Sequence, residues 1–316
     1  MKILILKKKN SSLNWSDSLS LLSKNLSLIE NCNIYHIDIS YNLLSNYKKL
    51  SKLKHNHGNE FDFILVHHSI VFYFSFFYPL LLNIKKKIFF AHEGEFHLGW
   101  NYALKNNQIK NIGSLFRYSR IWNTLPTLFF DDVYCLSKLQ SIQYPKSKII
   151  HFLGVNEDLF KPIDIKKTQK ILFPANILRY EKGWSLLDKK IQDICIYPDN
   201  TKNSEMPLLY NQVKFVVIPS IFETYCLALI EALLCNKIII TTKNVGLAAD
   251  LLNDYDFNTL ASLGLFIFND INDINDNFES IIELNVKPKT RAFAIENKLS
   301  SKLSALNLYD SLLEEL

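Results

Sequence analysis

Short runs of consecutive apolar residues recur along the chain with helix-length segments between them. In the first half they are Ile3–Leu6, Phe61–Val66, Lys87–Phe90, Val133–Leu136 and Ile149–Phe152. Runs that do not alternate with polar residues mark strands covered on both faces, so the first half reads as α/β with a parallel sheet. A second series predicts a second sheet of the same kind: KILFPAN from Lys170, then Ile194–Tyr197, Val213–Pro219, Lys237–Thr241 and Leu263–Phe268. Between the two series, FKPIDIKKTQ (Phe160–Gln169) is polar and basic and reads as a linker, which puts the domain boundary near residue 165. The expected organisation is a first domain over 1–164, a second over 165–295, and a C-terminal helix over 296–316 able to pack back on the first domain.

Other patterns refine this picture. In the tail, Leu299, Leu303, Leu306 and Leu313 lie close to helical spacing, as expected of one or two amphipathic helices. NDINDINDN (Asn269–Asn277) is acidic and Asn-rich and is expected to be a solvated loop. Ser69–Ile84 is the most hydrophobic stretch. It falls short of the roughly 20 apolar residues of a membrane span, and Pro79 interrupts it, so it is expected to be a core helix. With Lys85, Lys86 and Lys87 beside it, this stretch is also the candidate for peripheral membrane contact. The start, MKILILKKKN, has an apolar run too short for a secretory signal and reads as the first strand.

Composition narrows the class. A chain of 316 residues with 48% hydrophobic and 21% charged residues can bury a substantial core and is not disordered. Its 36 Lys and Arg against 31 Asp and Glu give a net charge of +5, compatible with an anionic ligand but too small and dispersed to imply nucleic acid. Cys32, Cys135, Cys195, Cys226 and Cys235 are scattered with no CxxC pair, so no disulfide framework or zinc ribbon is expected and a reducing, cytoplasmic setting fits. The histidines at 55, 57, 67, 68, 92 and 97 lack metal-ligand spacing.

The most informative segment is VVIPSIFETYCLALIEALLCNKIIITT, Val216–Thr242, which strings together a strand, a polar turn, an apolar helix and a second strand. A helix starting near Tyr225 would aim the amides of Tyr225, Cys226 and Leu227 at an anion such as phosphate. Glu223 sits at the turn, and Glu231, two turns into the helix, could accept hydrogen bonds from ribose hydroxyls. Two glutamates at this spacing usually lie on a solvated face. Here the flanks are almost wholly apolar, and an unpaired buried carboxylate is costly, so a ligand is the better account.

In this segment the sequence resembles the retaining glycosyltransferases of the GT-B fold, in particular family 4, the glycosyl transferases group 1. The family's Pro-Ser strand end, followed by two glutamates with seven residues between them, is matched by Pro219, Ser220, Glu223 and Glu231. LGVNEDLFKP (Leu153–Pro162), ILFPANILRYEKGWSLL (Ile171–Leu187) and SEMPLLYNQVKFVVIPS resemble further family segments in the right order. The resemblance covers most of residues 130–316 and implies two Rossmann-like domains facing each other across a crevice. It implies transfer of a hexose-type sugar, with retention and without metal or further cofactor, from a UDP- or GDP-linked donor to a hydroxyl of a glycan or lipid-linked acceptor. A role in bacterial-type surface glycan or glycolipid synthesis would follow.

Carried over by position, Glu231 would bind the ribose, Glu223 the donor hexose, and Lys182 with Arg179 the diphosphate. Thr224, Tyr225, Cys226 and Leu227 would supply turn amides, and His92 would lie on the acceptor side near the reacting carbon. The chain departs from the family pattern at Ile177, where Arg is usual, and at Thr224, Tyr225 and Cys226, where Gly, Phe and Gly are common. The Lys7–Trp15 loop lacks the family's glycines, and Leu187–Ser204 is short, which leaves the nucleobase open. A non-catalytic scaffold of the same fold and a nucleotide-sugar epimerase are the rival readings. Asp254-Tyr255-Asp256 matches the Asp-x-Asp of metal-dependent GT-A transferases but is expected to be a loop.

Overall fold

A computed structural model describes residues 1–8, 15–67, 69–76, 78–91, 104, 119–144, 146–199 and 201–316. They fall into two units. One comprises Met1–Leu136, Gln140–Ile150 and Ala305–Leu316, the other Ser137–Leu139 and His151–Ser304.

The first unit is built on a six-stranded sheet in the order β2-β1-β3-β4-β5-β6. Its strands are β1 (Lys2–Lys8), β2 (Asn33–Ile39), β3 (Glu60–His67), β4 (Asn83–Phe90), β5 (Asp132–Cys135) and β6 (Ser147–Ile149), paired in parallel throughout. Leu4, Leu6, Ile64 and Val66 of the central strands pack with Leu50 of the helix Leu43–His57 and with Val71, Phe72 and Tyr78. β2 is not among the runs expected from the sequence. As an edge strand it has Asn33, His36 and Asp38 exposed and only Ile37 and Ile39 buried, so no continuous apolar run marks it. Ser69–Ile84 is not one helix: helices Ser69–Ser75 and Tyr78–Leu81 precede β4, which takes the last residues of the stretch.

The second unit has a five-stranded sheet in the order β11-β10-β9-β7-β8. The strands are β7 (Ile171–Leu172), β8 (Cys195–Ile196), β9 (Phe215–Ile218), β10 (Ile238–Thr242) and β11 (Leu265–Phe268), again all parallel. The chain enters this unit at His151, upstream of the boundary near 165 that composition suggested. Phe160 is buried, Val155 bridges to Ser300, and Arg291 donates to the carbonyls of Glu157 and Phe160. The polar stretch therefore follows residues already fixed in the second core.

Asn269–Asn277 is not a solvated loop. Asp270 caps a helix, Ile271–Glu283, by accepting the N–H of Asn272 at 2.8 Å and of Asp273 at 3.2 Å. Ile271, Ile274, Phe278 and Ile281 share one buried face of that helix. Their spacing of three and four residues is the helical signal, and the Asn/Asp repeat between them masks it. The tail forms two helices, Thr290–Glu296 and Ser301–Leu313, and Glu315 beyond them pairs with Lys86 and Lys148 of the first unit.

Both sheets follow the doubly wound rule. In the first unit the winding reverses between β1 and β3, and in the second between β7 and β9. Ligands of open parallel sheets bind beyond the carboxyl ends of the strands at such reversals. No helix among the described residues is long and apolar enough to cross a membrane, and all five cysteines are free.

The helical assignment of Ile271–Glu283 makes a stability prediction. Ile274→Ala should lower stability by about 2–4 kcal/mol, read as a lower urea midpoint at unchanged slope, whereas exposed Asp276→Ala should change it little. A loop would leave both substitutions silent.

Candidate active site

The winding reversal of the second unit brings two segments together. The chain leaving β7 runs to a 3-10 turn, Tyr180–Lys182, and the chain leaving β9 runs through Pro219 and Ser220 to Glu223. Gly183 ends the first turn with φ +78°, and a Cβ there would lie 1.9 Å from the Pro219 carbonyl oxygen, so only glycine allows the approach. The Ile221 N–H donates to the Glu181 carbonyl at 2.9 Å, fixing the same two segments.

Lys182 and Glu223 meet at this junction. The Lys182 Nζ lies 2.6 Å from Glu223 Oε1, with 16% and 14% of the two side chains exposed. Ser220 Oγ donates to the same carboxylate oxygen at 2.6 Å. Burial raises the Glu223 carboxyl, but the Lys182 charge and hydrogen bond, with bonds from Ser220 and Cys226, outweigh it and hold the carboxyl below its ordinary range. The Glu223 backbone is clamped as well: its N–H donates to the Asn244 carbonyl at 3.0 Å, and its carbonyl accepts from the Gly246 N–H at 2.8 Å.

The turn after Glu223 differs from expectation. The helix spans Leu227–Leu234 and does not start at Tyr225. Cys226 is its N-cap in the left-handed region, φ +82°, and Tyr225 is buried with its carbonyl accepting from the Leu247 N–H at 3.3 Å. The first-turn amides, which have no acceptor within the helix, are therefore those of Leu227 and Ala228. Thr224 contributes its carbonyl to Ser137 Oγ at 2.5 Å. A Cβ on Gly246 would meet the same carbonyl oxygen at 2.0 Å, so this turn too is built on a close backbone approach.

Glu231 is the fifth residue of the helix, about one turn in, among Leu229, Ile230, Ala232, Leu233 and Leu234, which are all buried. Tyr210 Oη donates to Glu231 Oε2 at 2.8 Å. Burial pushes the Glu231 carboxyl up to about 7 against the opposing effect of that bond. The sequence pattern did not mark Tyr210. The only trace is its place in the apolar lead-in to β9.

Arg179 is not brought to the pair. Its guanidinium binds Glu181 Oε1 of the same turn, through Nε at 2.6 Å and Nη2 at 2.5 Å. Lys7, next to the last residue of β1, is held by Ser20 at 3.0 Å and Asp38 at 3.7 Å. The expected placement of His92, and that of residues 9–14, lies outside the described residues. Asp254 ends the helix Gly246–Asp254 and pairs with Lys138, while Asp256 caps the helix Phe257–Leu263 through Thr259, so the Asp-x-Asp triplet punctuates two helices.

Comparison with known structures defines the fold. Sucrose-phosphate synthase from Thermosynechococcus elongatus is similar with a TM-score of 0.70 at 12% identity, each chain covered in full (100%). Anabaena HepE, in complex with UDP and glucose, is similar with a TM-score of 0.66 at 11% identity and the same full coverage of 100%. A glycosyltransferase from Rickettsia africae gives 0.64 at 15% identity, covering 100% of this chain and 99% of that one. The fold is that of the GT-B glycosyltransferases, with two Rossmann-like units. Within the second unit, residues 184–299 match the family model described as Glycosyl transferases group 1. No curated protein sequence matches the chain.

Breaking the ion pair should be costly in a pH-dependent way. Lys182→Met leaves Glu223 buried and uncompensated and should cost about 3 kcal/mol at neutral pH. Because the native Glu223 carboxyl is lowered, the stabilisation it gives is present above the unfolded value near about 4.3 and is lost as pH falls through the native value. Urea titrations of both proteins should therefore converge in acid. A difference that persists there would contradict the ion-pair account.

Proposed function

We propose that the protein transfers a hexose-type sugar from a nucleoside diphosphate donor to an acceptor hydroxyl, with retention of anomeric configuration and without a metal ion. The observation that carries this reading is the Lys182–Glu223 pair at the winding reversal of the second sheet. An ion pair in so enclosed a place adds little to stability, but it presents a cation for a diphosphate and a carboxylate for sugar hydroxyls. As the sugar–phosphate bond breaks, its electron pair stays with the phosphate oxygen. The Lys182 ammonium and the first-turn amides of Leu227 and Ala228 would stabilise that charge.

In this reading Glu223 accepts hydrogen bonds from the donor sugar, and Glu231 accepts from the ribose. Arg179 reaches the diphosphate by exchanging Glu181 for it, and His92 contacts sugar or acceptor. Thr224, Tyr225 and Cys226 shape the wall of the donor pocket. A UDP-linked donor draws support from the similar HepE, whose complex contains UDP and glucose. GDP is the other candidate nucleotide. The proposed acceptor is a glycan or lipid-linked glycan at the cytoplasmic side of a membrane, with the protein in peripheral contact.

The division of labour is testable. Glu231→Ala should weaken UDP or GDP binding about 10- to 100-fold by calorimetry, the equivalent of about 1.5–3 kcal/mol of charged hydrogen bonding. Glu223→Gln should spare nucleotide affinity and lower sugar transfer, and equal loss of binding in the two variants would contradict the assignment. Transfer or donor hydrolysis should also continue in excess EDTA. Activity abolished by chelator and restored by divalent metal would reject the metal-free mechanism.

A further inference from the structure

Tyr210 lies on the helix Met206–Gln212, which packs against the helix carrying Glu231. The side chain is buried, and its ring meets Phe160 edge-on, with centroids 6.0 Å apart at 73°. Packing on this scale leaves the ring one orientation, so the hydroxyl is delivered to a fixed point. That point lies 2.8 Å from Glu231 Oε2 and 3.2 Å from the Ala228 carbonyl oxygen. A phenol has one proton, and the shorter contact takes it. Glu231 Oε1 has no hydrogen-bond partner among the described residues.

We propose that Tyr210 is a positioning residue for donor binding: its hydroxyl holds one oxygen of Glu231, leaves the other for the nucleotide, and favours the ionised carboxylate that the nucleotide requires. This rests on the reading of Glu231 as the ribose contact. The pairing therefore sets the pH range over which nucleoside diphosphate affinity changes.

The surroundings of Glu231 support that consequence. Burial raises the carboxyl to about 7, and the Tyr210 hydrogen bond is the interaction that opposes it. Tyr210 itself is pushed well above the ordinary phenol range, first by burial, so it remains a donor at every pH of interest. Nearby Cys226 and Cys235 are also raised by burial and stay neutral thiols near pH 7. On the helix Thr290–Glu296, Arg291 donates to the carbonyls of Phe160, Leu234 and Glu157. At the foot of β10, Lys237 donates to the Val213 carbonyl. Among the described residues no cation forms an ion pair with Glu231. Loss of the phenol hydroxyl therefore leaves burial unopposed, and the carboxyl must titrate at higher pH.

The experiment is calorimetric titration of the full chain with UDP and with GDP from about pH 5.5 to about pH 9, either side of the Glu231 midpoint. Wild-type affinity should rise with pH through a midpoint near about 7. Tyr210→Phe, which keeps the ring, should move that midpoint up by about one pH unit and weaken binding several-fold at pH 7, with recovery in alkali. Tyr210→Met, which fills the space without a donor, should do the same. Glu231→Gln should bind weakly with no such midpoint, and its profile gives the contribution of the nucleotide's own phosphate titration near about pH 6. An unmoved midpoint in both Tyr210 variants, beside a weakened Glu231→Gln, overturns the role of Tyr210 and leaves Glu231 as the ribose contact. Wild-type affinity in Glu231→Gln, or no binding of either nucleotide to the wild type, overturns both.

Discussion

The arrangement of the second unit's site depends on an ammonium and a carboxylate held 2.6 Å apart beyond the ends of two adjacent parallel strands. β7 and β9 are neighbours because β8 lies on the far side of β7, so the chain segments leaving both strands emerge side by side. Gly183 lets the basic turn press against the Pro219 carbonyl, and the bond from Ile221 to Glu181 closes the same junction. Lys182 and Glu223 thus sit on backbones tied to each other and to two interior strands of the sheet. Two long side chains on free loops would lose rotamer entropy in pairing, whereas here the geometry is set before the side chains meet.

The same junction separates the behaviour of two glutamates on one short stretch of chain. Glu223 lies beside a cation and two hydrogen-bond donors and is held in the ionised form. Glu231 lies in an apolar helix with a neutral phenol as partner, and its carboxyl titrates near neutrality. Environments that push like groups apart in this way mark sites where each group has its own task. A structural account of Glu231 would leave a half-buried carboxylate beside buried leucines with no cation paired to it among the described residues, at a cost in lost solvation.

Much of this was legible in the sequence, and the exceptions share a cause. Continuous apolar runs marked the central strands because those strands are covered on both faces, and the same criterion passed over β2, whose edge position leaves Asn33, His36 and Asp38 exposed. The helix Ile271–Glu283 was hidden by composition: the Asn and Asp residues that suggested a loop form its cap and solvated face, while four apolar side chains carry the period. Lys182 and Glu223 were legible because strand, turn and helix follow one another in a recognisable order. Arg179 stands on the turn the sequence marked, but nothing in the pattern shows that Glu181 holds its guanidinium. Tyr210 was not legible as a partner of Glu231, because their contact joins two helices separated by β9 and its turn.

The start of the helix after Glu223 shows how a shift of two residues changes the chemistry. An N-terminus at Tyr225 would have offered that residue's amide together with its ring. Instead Tyr225 is anchored by the Leu247 N–H on its carbonyl and by burial of its ring, and Cys226 turns the chain through the left-handed region before the helix begins. A β-carbon in that conformation is strained, and glycine is the residue that relieves it. The strain is held in place by the bonds just before it, from Gly246 to Glu223 and from Leu247 to Tyr225. It brings the Cys226 thiol to the Glu223 carboxylate and leaves the amides of Leu227 and Ala228 to face whatever anion the helix dipole attracts. The turn therefore links the carboxylate assigned to the sugar to the amides assigned to the phosphates within one short, rigid stretch of backbone.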